Sequence, residues 1–202
     1  MSRSVAALAV AACGNPKDAN KANFSKAIQA YLDTQPALCV EVPFGREGRK
    51  LPVVIQEQKG NEKDRAEALV EAGLLGKRET EVKSIWSIRE EMVPATEYQA
   101  TALGKQYLVT EKSGSSSFCT GKYKLTGIDN FTEPASNQWV SATMSQATFR
   151  YEITDLADWT QSEKLRAADE WTFKALEKNQ DKAVLVLTNE GWIHERLLKL
   201  NQ

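Results

Sequence analysis

A single histidine, His194, excludes any site built from several imidazoles, and three widely spaced cysteines form no Cys-x-x-Cys pair. The usual ligand sets of structural zinc are therefore missing, and no metal or other cofactor is implied. No GxSxG elbow, GxxxxGK[ST] loop or GxGxxG fingerprint occurs. The nearest glycine-containing stretch, "GSSSFCTG", lacks the lysine and the strand-to-helix setting of a phosphate cradle. No apolar run approaches the roughly 18 residues that span a bilayer, so the body of the chain is expected to be soluble. Charge of one sign is missing too: 26 Lys and Arg face 27 Asp and Glu, a net charge of -1. That balance sets up no field toward phosphate backbones or anionic lipid, and nucleic acid is not an expected partner.

What is present is an ordinary globular composition, 42% hydrophobic and 26% charged over 202 residues, enough for one core or two small ones. The most informative stretch is the first. Arg3 supplies a positive charge, residues 5–12 an unbroken apolar run, and small residues precede Cys13, which is followed by the helix-stopping Gly14, Asn15 and Pro16. This is the three-part pattern of a secretory signal, here assigned to residues 1–12. Val10-Ala11-Ala12-Cys13 resembles the bacterial lipobox. That resemblance implies cleavage before Cys13, a diacylglycerol on its sulfur and a membrane partner through that anchor. Gly14 and Asn15, with no Asp directly after the cysteine, imply an outer-membrane address facing the periplasm. With Cys13 carrying lipid, Cys39 and Cys119 remain as an even pair. In an oxidising compartment they are expected to form a disulfide, worth up to about 4.5 kcal/mol in the chain-entropy model. The alternative is that both are small buried thiols.

The rest of the chain reads as α+β. Phe24, Ile28, Tyr31 and Leu32 fall on one helical face closed by Pro36, and "LCVEV" follows as a strand. A brief "LPVVI" run is a candidate strand inside an irregular connection, and "NEKDRAEALVEAGLL" predicts a helix with Asn61 as N-cap and Gly73 as C-cap. "ETEVKSIWSI" and "MVPATEYQAT" read as strands and "ALGKQYL" as a helical turn, so that residues 61–109 resemble half of a winged-helix domain. Winged-helix DNA readers need Lys or Arg on the groove helix, whereas this one sets Glu62, Asp64, Glu67 and Glu71 against Lys63 and Arg65. The small polar residues 113–117 mark a candidate boundary between a helical, winged-helix-like subdomain (13–112) and an antiparallel α+β subdomain (118–202). The latter is expected to be a curved sheet with one covering helix. In its long strand Val140, Ala142 and Met144 share one face and Phe149, Tyr151 and Ile153 the other, which predicts a bulge near Gln146. The covering helix is expected to start at a Ser162 cap and to face inward with Leu165, Ala168, Trp171 (or Thr172) and Leu176. Two strands around Asn189, Glu190 and Gly191 close the chain.

Few residues are candidates for chemistry. His194 alternates with Trp192 and Arg196 in a terminal strand, the setting of a structural surface histidine, and no partner for proton transfer is identified. Glu90 with Glu91, and Asp155 with Asp158, are acidic pairs that fit solvated surface as well as a hydrolase. Of Trp86, Trp139, Trp159, Trp171 and Trp192, Trp159 lies between a strand and a helix, where it is expected to seal the core. Three classes stay open. They are a non-catalytic envelope lipoprotein that binds a protein, of the inhibitor or immunity-factor kind; a carboxylate-dependent envelope hydrolase; and a winged-helix regulator. The lipobox and the missing catalytic motifs favour the first.

Overall fold

The computed structural model describes residues 14–56, 60–84, 91–137 and 142–200. In chain order the elements are α1 (Lys21–Leu32), β1 (Pro36–Glu41), β2 (Val53–Gln56), α2 (Asn61–Glu71), β3 (Leu75–Lys83), β4 (Met92–Ala100), α3 (Ala102–Tyr107) and β5 (Leu108–Thr110). Then follow β6 (Ser116–Phe131), β7 (Ala135–Asn137), β8 (Ala142–Thr154), a 3-10 turn (Asp158–Gln161), α4 (Glu163–Ala168) and α5 (Glu170–Lys174). The chain ends with a second 3-10 turn (Ala175–Glu177), β9 (Gln180–Leu187), β10 (Trp192–His194) and α6 (Glu195–Leu200). The fold is α+β. A large curled sheet has the order β1-β6-β8-β9-β10, with β5 on β6 and β7 on β8, and a three-stranded sheet has the order β2-β4-β3. Two compact units share the chain: residues 1–31, 125–150 and 180–202 form one, and 32–124 with 151–179 the other. Both β6 and β8 contribute residues to each.

In the first unit Phe24, Ile28 and Leu185 are fully buried, and Trp192 nearly so. The Phe24 ring meets those of Phe131 and Trp192 edge-on at 4.9 and 4.8 Å, the geometry aromatic quadrupoles prefer. β8 runs beside β9 without interruption from Met144↔Val186 to Arg150↔Gln180, so the bulge expected near Gln146 is not in this ladder. The change of phase was suggested by Met144 sitting among apolar residues, but Ser145, Ala147 and Phe149 form the buried face. Ser145 tolerates burial because its hydroxyl donates to the Thr132 carbonyl oxygen at 2.7 Å.

The second unit holds the larger core: Leu38, Val40, Val42, Leu69, Leu74, Leu75, Tyr98, Phe118, Trp159, Leu165 and Phe173 pack together. β3 and β4 form a hairpin, and β2 adds to the other side of β4. Within the middle strand Pro94 pairs with Glu81 of β3, and its neighbour Ala95 pairs with both Thr80 of β3 and Gln56 of β2. α2 begins with Gly60, not Asn61, at the capping position, and it ends where Gly73 takes a φ of 77° that favours glycine. Thr101 caps α3, its hydroxyl accepting from Gly104 N–H and donating to the Gly73 carbonyl. Gly104 is there for space: a Cβ would lie 2.1 Å from the Leu74 carbonyl oxygen.

The segment expected as one covering helix is two. Ser162 caps α4 as expected, accepting from Leu165 N–H at 3.3 Å, but the helix breaks at Asp169, whose φ is -137°. The break resets the helical phase, so Phe173 turns into the core and Trp171 turns out.

Candidate functional site

The break at Asp169 builds the most exposed aromatic among the described residues. Asp169 is 7% exposed and would be costly to bury alone. Its Oδ1 is 3.3 Å from Arg65 Nη2 of α2 and accepts the Thr172 hydroxyl at 2.9 Å. Its carbonyl oxygen accepts from Thr172 and Phe173 N–H groups, which starts α5. Two residues on, Trp171 is 85% exposed. α4 is tied to α2 a second time by Lys164 Nζ on Glu71 Oε2 at 3.0 Å. One turn before Glu71 on α2, Glu67 accepts Lys77 Nζ at 2.7 Å and the Tyr98 hydroxyl at 2.9 Å. Burial pushes the Glu67 carboxyl up, but these two hydrogen bonds and the lysine charges outweigh it and hold the group below its ordinary value.

On the same pair of helices lies a depression of about 350 Å3 lined by Arg166, Glu170, Phe173, Lys174 and Glu177. The Arg166 guanidinium sits 5.1 Å over the Phe173 ring and donates from Nε to the Thr160 carbonyl, so it is held flat. An exposed indole on a helix braced by the Arg65–Asp169 pair is chemically equipped to bury against another surface. It carries no arrangement of nucleophile and base. A second hollow of about 450 Å3 lies between the 46–54 segment and Val82, with Arg46, Lys50 and Leu51 on its walls. Arg46 is engaged there, donating to the Lys83 carbonyl oxygen at 3.3 Å.

The sequence offered Trp171 or Thr172 for the inward face; Trp171 is outside and Thr172 is half-buried. Trp159 is in the core, 6% exposed, with Tyr107 edge-on at 5.9 Å. Its indole N–H is buried without a hydrogen-bond partner among the described residues. Trp86, Trp139 and Glu90 lie outside the described residues. Asp155 pairs with Lys122 at 3.0 Å and is exposed, as is Asp158 at the start of the first 3-10 turn. Asp155 adopts a φ of 57°. Among the described residues no group of three or more His, Cys, Asp or Glu is placed to hold a metal ion.

His194 is not a surface residue. It is 5% exposed, stacked on Tyr31 at 3.9 Å, and its Nδ1 accepts the Arg196 N–H at 3.2 Å. An accepting Nδ1 belongs to the neutral ring protonated at Nε2. Burial lowers the imidazole below its ordinary value and the Arg196 charge adds to this, while Glu195 and Asp181 pull the other way. Arg196 in turn donates from Nη1 to the Tyr31 hydroxyl at 2.7 Å, closing a stack of three side chains.

Cys39 and Cys119 form a disulfide that closes 80 residues. They are direct partners on β1 and β6, on the face opposite Leu38, Val40 and Phe118. The alternative of two buried free thiols is thereby removed. Cys13 lies outside the described residues, but the chain after it does not: Asn15 and Asn20 both bond to Asn23 of α1. No helix among the described residues is long and apolar enough to cross a membrane.

No protein-family model, curated protein or solved structure matches this chain. Function therefore has to be read from the residues themselves.

Proposed function

We propose that the chain is a lipid-anchored protein of the bacterial envelope, held by Cys13 and facing the periplasm from the outer membrane, that binds a protein partner without catalysing a reaction. An inhibitor or immunity factor has this character. The lipobox-like Val10-Ala11-Ala12-Cys13 carries the address. The observation that carries the binding role is Trp171, 85% exposed on a helix braced by the Arg65–Asp169 pair. An indole of this kind removes about 150–250 Å2 from water when covered, and tryptophans dominate the few residues that carry interface affinity. The winged-helix-like arrangement of α2 and the β3–β4 hairpin acts in this reading as scaffold. The basic residue Arg65 is spent on Asp169, leaving an acidic helix that repels phosphate.

The test is capture of partners from envelope extracts with wild type and with Trp171→Ala. The variant is expected to keep its fold and to bind at least about 30-fold more weakly, the loss of a contact worth about 2 kcal/mol. Equal capture by both removes Trp171 from the binding face. A hydrolytic activity abolished by His194→Gln or by Asp155→Asn, with fold intact, would replace the binding role by an enzymatic one.

A further inference from the structure

Residues that follow an acylated cysteine decide how far from the membrane the folded protein stands. Here the fold starts almost at once. The Asn15 side chain accepts from Lys17 N–H at 3.0 Å, and the Asn15 carbonyl accepts from Asp18 N–H and from the Asn23 amide of α1. The same amide donates to the Asp18 carbonyl at 2.9 Å. From the other end of the chain the Trp192 indole donates to the Lys17 carbonyl at 3.0 Å. Pro16 lies so close over Gly191 that a Cβ there would come within 2.8 Å of the Pro16 carbonyl oxygen. Residues 15–18 are thus bound to α1 and to the turn between β9 and β10, all within the first unit.

Only Gly14 lies between Cys13 and Asn15, and the two Cα–Cα steps give an extended reach of at most about 7 Å. The polar headgroup layer on each side of a bilayer is itself about 5–8 Å thick. A diacylglycerol on Cys13 must lie below that layer, so the available chain is used up in crossing it. We infer that the anchor has no tether. The end of the first unit formed by residues 14–18 and by Asn189, Glu190 and Gly191 would then lie directly on lipid headgroups. This rests on the acylation of Cys13 proposed above. Lys17, Asp18, Lys21 and Glu190 are all exposed at this end and their charges cancel. The surface therefore suits zwitterionic headgroups, and contact depends on the short anchor more than on charge.

The experiment uses the acylated mature protein in phosphatidylcholine vesicles, with a fluorophore on Glu190→Cys and a headgroup spin label as quencher. A matched protein carries a ten-residue Gly-Ser insertion between Cys13 and Gly14, which adds about 17 Å of mean reach. Strong quenching without the insertion, falling at least threefold with it, is the expected result. Absent quenching, or quenching that the insertion leaves unchanged, overturns the inference while acylation stands. A Cys13 peptide whose mass shows no lipid overturns it together with the anchor reading.

Discussion

Replacing Gly191 with alanine perturbs the contact that pins the residues after Cys13. Gly191 has a φ of 130°, in a region open almost only to glycine, and a strained residue of this kind costs on the order of 1–3 kcal/mol. The new Cβ would also lie 2.8 Å from the Pro16 carbonyl oxygen and 3.2 Å from its Cβ, both fixed atoms that must move as a segment. Moving them loosens the Trp192–Lys17 hydrogen bond, worth about 1 kcal/mol. Together the loss is about 2–4 kcal/mol, or roughly 5–12 °C in Tm for a chain of this size. Urea denaturation gives the stability change, and amide hydrogen exchange shows where it acts: Lys17, Asp18 and the first turn of α1 are expected to lose protection before the β8–β9 ladder does. Trp192→Phe should loosen the same residues by about 1 kcal/mol without the backbone strain. A Gly191→Ala protein within 0.5 kcal/mol of wild type, with protection unchanged at Lys17 and Asp18, would refute the close docking of Pro16.

Three further outcomes are expected. Arg65→Ala leaves Asp169 buried beside a hole and should cost about 3 kcal/mol by denaturant titration; replacing both residues with apolar ones should cost less than Arg65→Ala alone, and a loss under 0.5 kcal/mol for Arg65→Ala contradicts the role of the pair. Because the buried His194 has a folded pKa below its unfolded value near about 6.5, the unfolded chain takes up the proton first. Its contribution is complete above that value and is lost as pH falls below it, so wild type should lose more Tm between pH 7 and pH 5 than His194→Gln, and identical pH profiles would contradict the burial. Reduction of the Cys39–Cys119 disulfide should lower stability by up to about 4.5 kcal/mol, and identical melting of oxidised and reduced protein would show that the link constrains nothing.

Local signals in the sequence located the elements whose neighbours are near in the chain. Phe24, Ile28 and Leu32 share a helical period and are buried as that period requires. Gly73 and Ser162 mark helix ends because capping is decided within a few residues. The choice between Trp171 and Thr172 for the inward face was not legible locally, because it depends on Asp169, where the helix breaks beside a partner, Arg65, about a hundred positions earlier. His194 was expected at the surface for a similar reason: its strand is only three residues long, and burial comes from Tyr31 at the end of α1. Period-2 patterning in β8 misled where a buried serine, Ser145, found a backbone acceptor at Thr132, 13 residues earlier. The pairing of Cys39 with Cys119 was reached by counting, which depends on compartment and not on geometry. The exposure of Trp171 had no signal in the residue type, since tryptophan is found both in cores and at interfaces.

The most direct measurement is the mass of the N-terminal peptide from protein isolated with the outer-membrane fraction, alongside Cys13→Ser. Anchoring through the lipobox-like segment requires that the mature chain begin at Cys13 with a mass increased by a diacylglycerol, and that Cys13→Ser leave the membrane fraction or retain residues 1–12. An unmodified Cys13 in a chain that still carries Val10, Ala11 and Ala12, with wild type and Cys13→Ser equally soluble, would contradict it.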